Sequence, residues 1–398
     1  MKNHIKKIAF LGLLFISLCI LIIAVSEPRT AKADSVITQS EDPLEENIEE
    51  QLKNLDLSDL EEYLKSFDGF SEGESIGELL IKYIRGGDFD YEKFGEEFLQ
   101  IFLRKVLKIL PSFAVIAAIA ILSGLLSTVK SSMNAQTASD MISILTYLAA
   151  LIPLLAILLE CFNETKSGIL SMRKQMELIY PLLLTLMAAS GASVSAAVCR
   201  PAVGFFSTSI VSVIDSVILP MTITIIVLSM CGHFSKTLKI GKFSAFFKSM
   251  NKWLIGICVS AFGIFFTLQG ITSAVYDGVI RRAAKYAIGN GIPIVGGFLS
   301  GGFDLAVAGS VLIKNSLGSM GIFLMLSVLL EPLILLVSVN LMLRLISAIT
   351  QPFGDSQISD FLGETAENMH YCTASLLITA FLYFLTIVLM IYSTEALF

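Results

Sequence analysis

The chain has 398 residues, 55% of them hydrophobic and 16% charged, with a net charge of −6 and a mean hydropathy of +0.77. Soluble domains run at roughly 45–50% apolar and about 25% charged, so this composition excludes an ordinary soluble enzyme. It leaves transport, channel formation, membrane assembly or intramembrane chemistry, and the acidic balance argues against nucleic acid as a partner.

At the N-terminus, Lys2, Lys6 and Lys7 precede the apolar run Ile8–Val25, and Ala31-Lys32-Ala33 comes after it. A charged stretch, an apolar stretch and a small-residue cleavage pattern predict a signal peptide over residues 1–33. Left uncleaved, the same segment would be an anchor. Either form places the region beyond residue 33 outside the cytoplasm.

Residues 34–104 form an acidic extracytoplasmic region, and 34–103 hold 20 of the 34 acids against five basic residues. Leu52, Leu55, Leu60, Tyr63, Leu64 and Phe67 recur at near-helical spacing, as do Ile76, Leu79, Leu80, Tyr83 and Ile84. This predicts a small helical domain whose carboxylates form a solvated face.

Residues 105–398 are a polytopic region. The predicted fold is all-α, with seven or eight membrane spans. Eight candidates fall at about 106–129, 139–160, 178–198, 205–230, 253–275, 290–313, 318–343 and 374–394, each near the roughly 20 residues a bilayer requires. The third and sixth are rich in small residues. Gly191 lies in the third; Gly289, Gly291, Gly296, Gly297, Gly301 and Gly302 mark the sixth. Such residues allow close helix packing and also occur in broken helices that line a cavity.

Loop charge admits two topologies. With eight spans, the lysine-rich loop 231–252 falls outside, against the positive-inside rule. A re-entrant third segment brings it inside but exports Arg281, Arg282 and Lys285. Within that loop, Phe243, Phe246, Phe247, Met250 and Leu254 follow helical spacing, with Lys236, Lys239, Lys242 and Lys248 largely elsewhere. This predicts an interfacial helix that anchors in lipid or docks an acidic partner.

Polar residues inside spans are costly and mark functional candidates. They are Asp215, Gln269, Asp304, Glu331 and Asn340, with Pro332 favouring a kink beside Glu331. An ion-coupled transporter would use Asp215 and Glu331 as carriers; otherwise each pairs with a polar neighbour. The six cysteines show no CxxC spacing, and the three histidines, His4, His233 and His370, are too dispersed for a metal motif. No P-loop, HExxH or GxSxG pattern is present. No enzymatic activity, cofactor or metal is expected.

One block is distinctive beyond composition. It runs from Gln269 through Tyr276-Asp277-Gly278, Arg281-Arg282-Ala283-Ala284-Lys285 and Ile292-Pro293-Ile294-Val295-Gly296-Gly297 to Lys314-Asn315. With Tyr180-Pro181-Leu182 and Ala188-Ala189-Ser190-Gly191-Ala192-Ser193, it resembles the stage III sporulation protein AE family of endospore-forming bacteria. The resemblance implies a non-enzymatic component of the mother-cell membrane that engulfs the forespore. It further implies assembly with other stage III A-operon membrane proteins and stage II sporulation protein Q into a channel-like complex related to secretion systems. On that reading, segments 188–198 and 289–302 would line or gate the channel. A stand-alone ion-coupled transporter and a passive scaffold are the alternatives.

Overall fold

A computed structural model describes residues 41–65, 80–81, 91–130, 136–234, 240–264, 296–353 and 356–395. The expected signal peptide, Lys236, Lys239, Gln269, Gly289 and Gly291 lie outside the described residues. Every regular element among the described residues is helical. The order is α1 (Glu41–Asn54), α2 (Ser58–Lys65), α3 (Tyr91–Lys130), α4 (Gln136–Ala189) and α5 (Ser193–Gly204). A π-helical turn at Phe205–Ile210, the short α6 (Val211–Val213) and a second π-turn at Ile214–Ile218 lead into α7 (Leu219–Phe234). Helix α8 covers 241–264, followed by α9 (Gly296–Thr350), α10 (Ser356–Asn368) and α11 (His370–Glu395).

Five stretches are long and apolar enough to cross a membrane: Phe102–Leu126, Ile144–Ala189, Val211–Phe234, Asp304–Thr350 and Gln357–Tyr392. The hydropathy pattern divides 139–160 from 178–198, and 290–313 from 318–343. In the structure 139–160 and the part of 178–198 up to Ala189 are one helix, α4, and the second pair, from Gly296 on, is α9. Some of the intervening polar residues find partners across the bundle, and the helices run on through them. Gln175, fully buried, donates to the Leu324 carbonyl at 3.1 Å. Internal prolines are accommodated too. A Cβ on Gly168 would lie 3.1 Å from the Pro332 ring, so the missing side chain makes room for that ring. The Thr185 hydroxyl donates to the Pro181 carbonyl at 2.9 Å.

The break that does occur is at Gly191. Its φ of 88° is left-handed, which glycine adopts without a Cβ clash. The Ala192 N–H bonds to the Met187 carbonyl and the Gly191 N–H to the Ala188 carbonyl, capping the end of α4 in a Schellman motif.

The long helices run side by side in a fixed register. Gly168, Gln175 and Ile179 of α4 meet Pro332, Leu324 and Gly321 of α9, so the two are antiparallel. Helix α11 also opposes α9: Ile387 meets Gly321 and Ile391 meets Gly318. The Tyr147 hydroxyl of α4 reaches the Met230 carbonyl of α7, and Gln357 of α10 reaches the His233 carbonyl. One end of the bundle therefore gathers the C-terminal ends of α7 and α9 with the starts of α4, α8 and α10. The other gathers the end of α4 with the start of α9.

Between these ends lies a tier of ion pairs. Lys105 Nζ sits 2.6 Å from Glu331 and 3.5 Å from Glu164. Lys108 pairs with Glu160 at 2.6 Å, and Lys166 lies 3.8 Å from Asp215. On α4 and α9 the tier separates two kinds of surface, whereas on α3 exposed Phe102, Leu103 and Leu107 precede Lys108. Among the described side chains of α9, the exposed large apolar ones are Val337, Leu341, Leu345 and Ile349, all C-terminal to Glu331. On α4, those before Glu160 run from Met141 to Leu159, and only Leu170 comes after it. From Lys108 to Leu126, Glu160 to Ile144, Asp215 to Phe234 and Glu331 to Thr350, each segment spans about sixteen to nineteen residues, or about 24–29 Å of helix. That is close to the thickness of one hydrocarbon core, about 30 Å.

Candidate functional site

A polar cavity of about 420 Å³ lies between α7, α9 and α10 within this bilayer-thick layer. Its walls include His233, Arg344, Ser347, Ser359, Glu364 and Glu367. Helices α9 and α10 approach closely beside it because Gly363 carries no side chain; a Cβ there would lie 3.2 Å from the Ser347 hydroxyl. Ser347 and Ser359 cross-bond, each hydroxyl donating to the other's carbonyl at 2.8 and 2.9 Å.

Glu364 is the hub. One carboxylate oxygen accepts from Lys248 Nζ at 2.7 Å, and the other lies 3.6 Å from His233 Nδ1. Lys248 comes from α8 and His233 from α7, so one carboxylate ties three helices. His233 Nδ1 is also 2.9 Å from the Ser229 carbonyl. A carbonyl only accepts, so Nδ1 carries hydrogen and Nε2 of the neutral ring holds the free lone pair.

A second network staples α9 to the α10–α11 junction. Arg344 Nε donates to Asn340 Oδ1 at 2.9 Å, and Arg344 Nη2 lies 2.9 Å from His370 Nε2. A guanidinium only donates, so His370 Nε2 accepts and the ring is neutral in this arrangement. The Asn340 amide donates to the Ala366 carbonyl. Close by, the side chains of Ser338, Thr365 and Asn368 are buried with no hydrogen-bond partner.

A separate polar contact joins the N-terminal helices to α9. Gln51 of α1 donates to the Ala306 carbonyl at 2.9 Å and accepts from the Ser310 hydroxyl at 2.8 Å. Gly309 lies beneath: a Cβ there would be 2.9 Å from Asn47 Oδ1 and 3.2 Å from Gln51 Nε2. Tyr63 of α2 lies under Lys174 Nζ, 5.3 Å from the ring centroid, and burial raises its phenol above the ordinary tyrosine range.

The structure distributes the expected site residues over several places. Gly191 is the cap of α4, while Gly296, Gly297, Gly301 and Gly302 occupy the first turns of α9. Asp215 lies in the second π-turn near Lys166, and Glu331 is held by Lys105. Asp304 is half-buried on α9. Asn340 belongs to the arginine network. Of the expected interfacial helix, Lys242, Phe243 and Phe246 are exposed and Phe247 is half-buried. Lys248 turns inward to Glu364. The inner face of α8 carries Ser244, Asn251 and Cys258, and Asn251 donates to the Thr222 hydroxyl at 3.0 Å. Among the described residues no group of three or more His, Cys, Asp or Glu side chains could hold a metal.

Sequence reasoning missed the cavity. His233, Arg344, Glu364 and His370 lie on separate helices, and Glu364 sits in a segment polar enough to pass for a loop. The readable signal was that two of only three histidines lie close to spans.

The chain matches the stage III sporulation protein AE family over residues 75–394. It is 25% identical over 267 residues to the stage III sporulation protein AE of Bacillus subtilis (strain 168), covering 67% of each chain. No solved structure matches. With most of its length matched by one family and its apolar helices in keeping, the chain belongs to the stage III sporulation protein AE family.

Proposed function

We propose that the chain is a non-enzymatic membrane core of a channel or secretion-like complex linking mother cell and forespore. It would sit in the mother-cell membrane around the forespore, with the other stage III A-operon membrane proteins and stage II sporulation protein Q as partners. Family membership supports the sporulation role.

The observation that carries the assembly role is the mismatch between helix length and bilayer. Asp304–Thr350 is 47 residues, about 70 Å of helix, more than twice a hydrocarbon core. Only the half beyond the ion pairs shows a lipid-like surface. The other half, with α1 docked on it and α2 on the neighbouring part of α4, is a helical platform standing outside the bilayer on the extracytoplasmic side. The lysine-rich start of α8 then lies at the cytoplasmic end, as the positive-inside rule requires. This platform is the surface offered to ring-forming partners.

Affinity capture of the full chain from sporulating cells tests the reading. Co-purification of the operon's other membrane proteins is expected. Recovery of the chain alone, together with normal sporulation of cells that lack it, would overturn it.

A further inference from the structure

Inside the bilayer-thick layer, polar groups do not stop at the cavity. Going from the cavity toward the ion-pair tier along α9, Arg344 is followed by Asn340, Ser338 and then Glu331, the last two separated by two helical turns, or about 10 Å. Opposite the Arg344–Asn340 part of this line, α10 carries Glu364, Thr365 and Asn368, where Ser347 meets Ser359 and Asn340 meets Ala366. The Ser338 and Thr365 hydroxyls and both amide atoms of Asn368 are buried without a partner. Buried polar atoms of this kind are ordinarily satisfied by water. The path has a polar group at each end as well. Asp360 and Glu367 are exposed at the cavity mouth, and Glu331 is half-exposed at the tier.

We propose that this line is a proton path across the membrane layer. It runs from the His233–Glu364 cavity past Thr365, Asn368 and Ser338 to the Lys105–Glu331 pair. The side chains of Thr365, Asn368 and Ser338 along it are buried, so it suits single waters rather than hydrated cations. Protons move along such a chain by exchange: each water accepts one proton and releases another, with no net chemistry. The driving force is the pH difference or electrical potential across the bilayer.

At the cavity, Nε2 of His233 takes a proton from a hydronium, leaving water, and then gives it to the next water inward, returning to the neutral ring. In between, the imidazolium is balanced by Glu364, itself held by Lys248 of α8. Asp360 and Glu367 of α10 add negative charge at the mouth. Arg344 of α9 adds positive charge, and its bond to His370 of α11 keeps that second ring neutral. The exposed end at Glu331 returns the proton to water.

The inference does not depend on partner proteins, and its test uses the full chain alone. Liposomes containing it are loaded with a pH-sensitive dye, given a pH gradient with valinomycin to prevent charge build-up, and followed for collapse of the gradient. Collapse at least severalfold faster than in empty liposomes is expected. Glu364→Gln should slow it several-fold, and Glu177→Gln, on the exposed face of α4, should leave it unchanged. Ser338→Ala with Thr365→Val guards against misfolding, because it removes unpartnered hydroxyls and should leave thermal stability equal or higher. That pair should also slow proton flux. Wild-type collapse no faster than in empty liposomes would overturn the proposal, as would full flux in either Glu364→Gln or the Ser338/Thr365 variant.

Discussion

Gln51 and Ser310, 259 residues apart, are hydrogen-bonded at 2.8 Å. The contact fixes the acid-rich N-terminal helices to one end of the bundle, directly over Gly309. Replacing Gly309 with Leu should displace α1, because even a Cβ would meet Asn47 and Gln51 at 2.9 and 3.2 Å. Overpacking of this kind costs about 1–3 kcal/mol. Limited proteolysis should cut the Gly309→Leu chain between α1 and α3 faster than wild type, with the remaining bundle intact.

Lys105 is 8% exposed and serves two carboxylates, Glu331 and Glu164. Lys105→Met should lower thermal stability in detergent, because it leaves both acids without their cation; an unpaired polar group costs about 1–3 kcal/mol when buried and less when it reaches water. Half-exposed Glu331 can turn to water, so the loss should fall at the lower end. Adding Glu331→Gln to Lys105→Met should recover part of it, and the double-mutant cycle measures the coupling.

Two glycines make opposite forecasts. At Gly318 a Cβ would sit 2.6 Å from Ile391 Cδ1 and 2.8 Å from Cγ1, closer than real contacts allow. Gly318→Ala should destabilise by about 1–3 kcal/mol. At Gly256 on α8 nothing lies within 4 Å. Gly256→Ala should be neutral or stabilising by up to about 1 kcal/mol, the helix-propensity difference. Thermal unfolding of the two variants side by side checks both signs.

Trp253 is the sole tryptophan and is 69% exposed on the outer face of α8, in line with Phe243, Phe246 and Met250. Its indole should face lipid about 18 Å from the start of the helix. Brominated acyl chains should therefore quench its fluorescence strongly, and more from deep positions than from the glycerol region. Acrylamide in water should quench it weakly.

Much of the fold was legible in the sequence, because apolar length and helical spacing are local properties. The segments around 106–129, 205–230 and 374–394 appear as helices close to where hydropathy places them. What hydropathy could not show is that two pairs of spans are joined through polar residues. That continuity depends on Gln175 meeting Leu324 and Gly168 meeting Pro332, contacts about 150 residues or more apart in the chain. The intramembrane acids were legible as residues but not as roles: Asp215 and Glu331 lie beside lysines that no local pattern reveals. The cavity was least legible, since Glu364 gains its meaning only from Lys248 and His233.

The central claim is that one bilayer lies between the ion-pair tier and the far ends of α7 and α9, with α1 and α2 on the opposite side from the start of α8. Single cysteines on a cysteine-free background, in the chain expressed in the plasma membrane of vegetative cells and probed in intact protoplasts with a membrane-impermeant maleimide, test it most directly. Lys174→Cys should label from outside, Lys242→Cys only after permeabilisation, and Leu345→Cys under neither condition. Labelling of Lys242→Cys from the same side as Lys174→Cys would contradict the account.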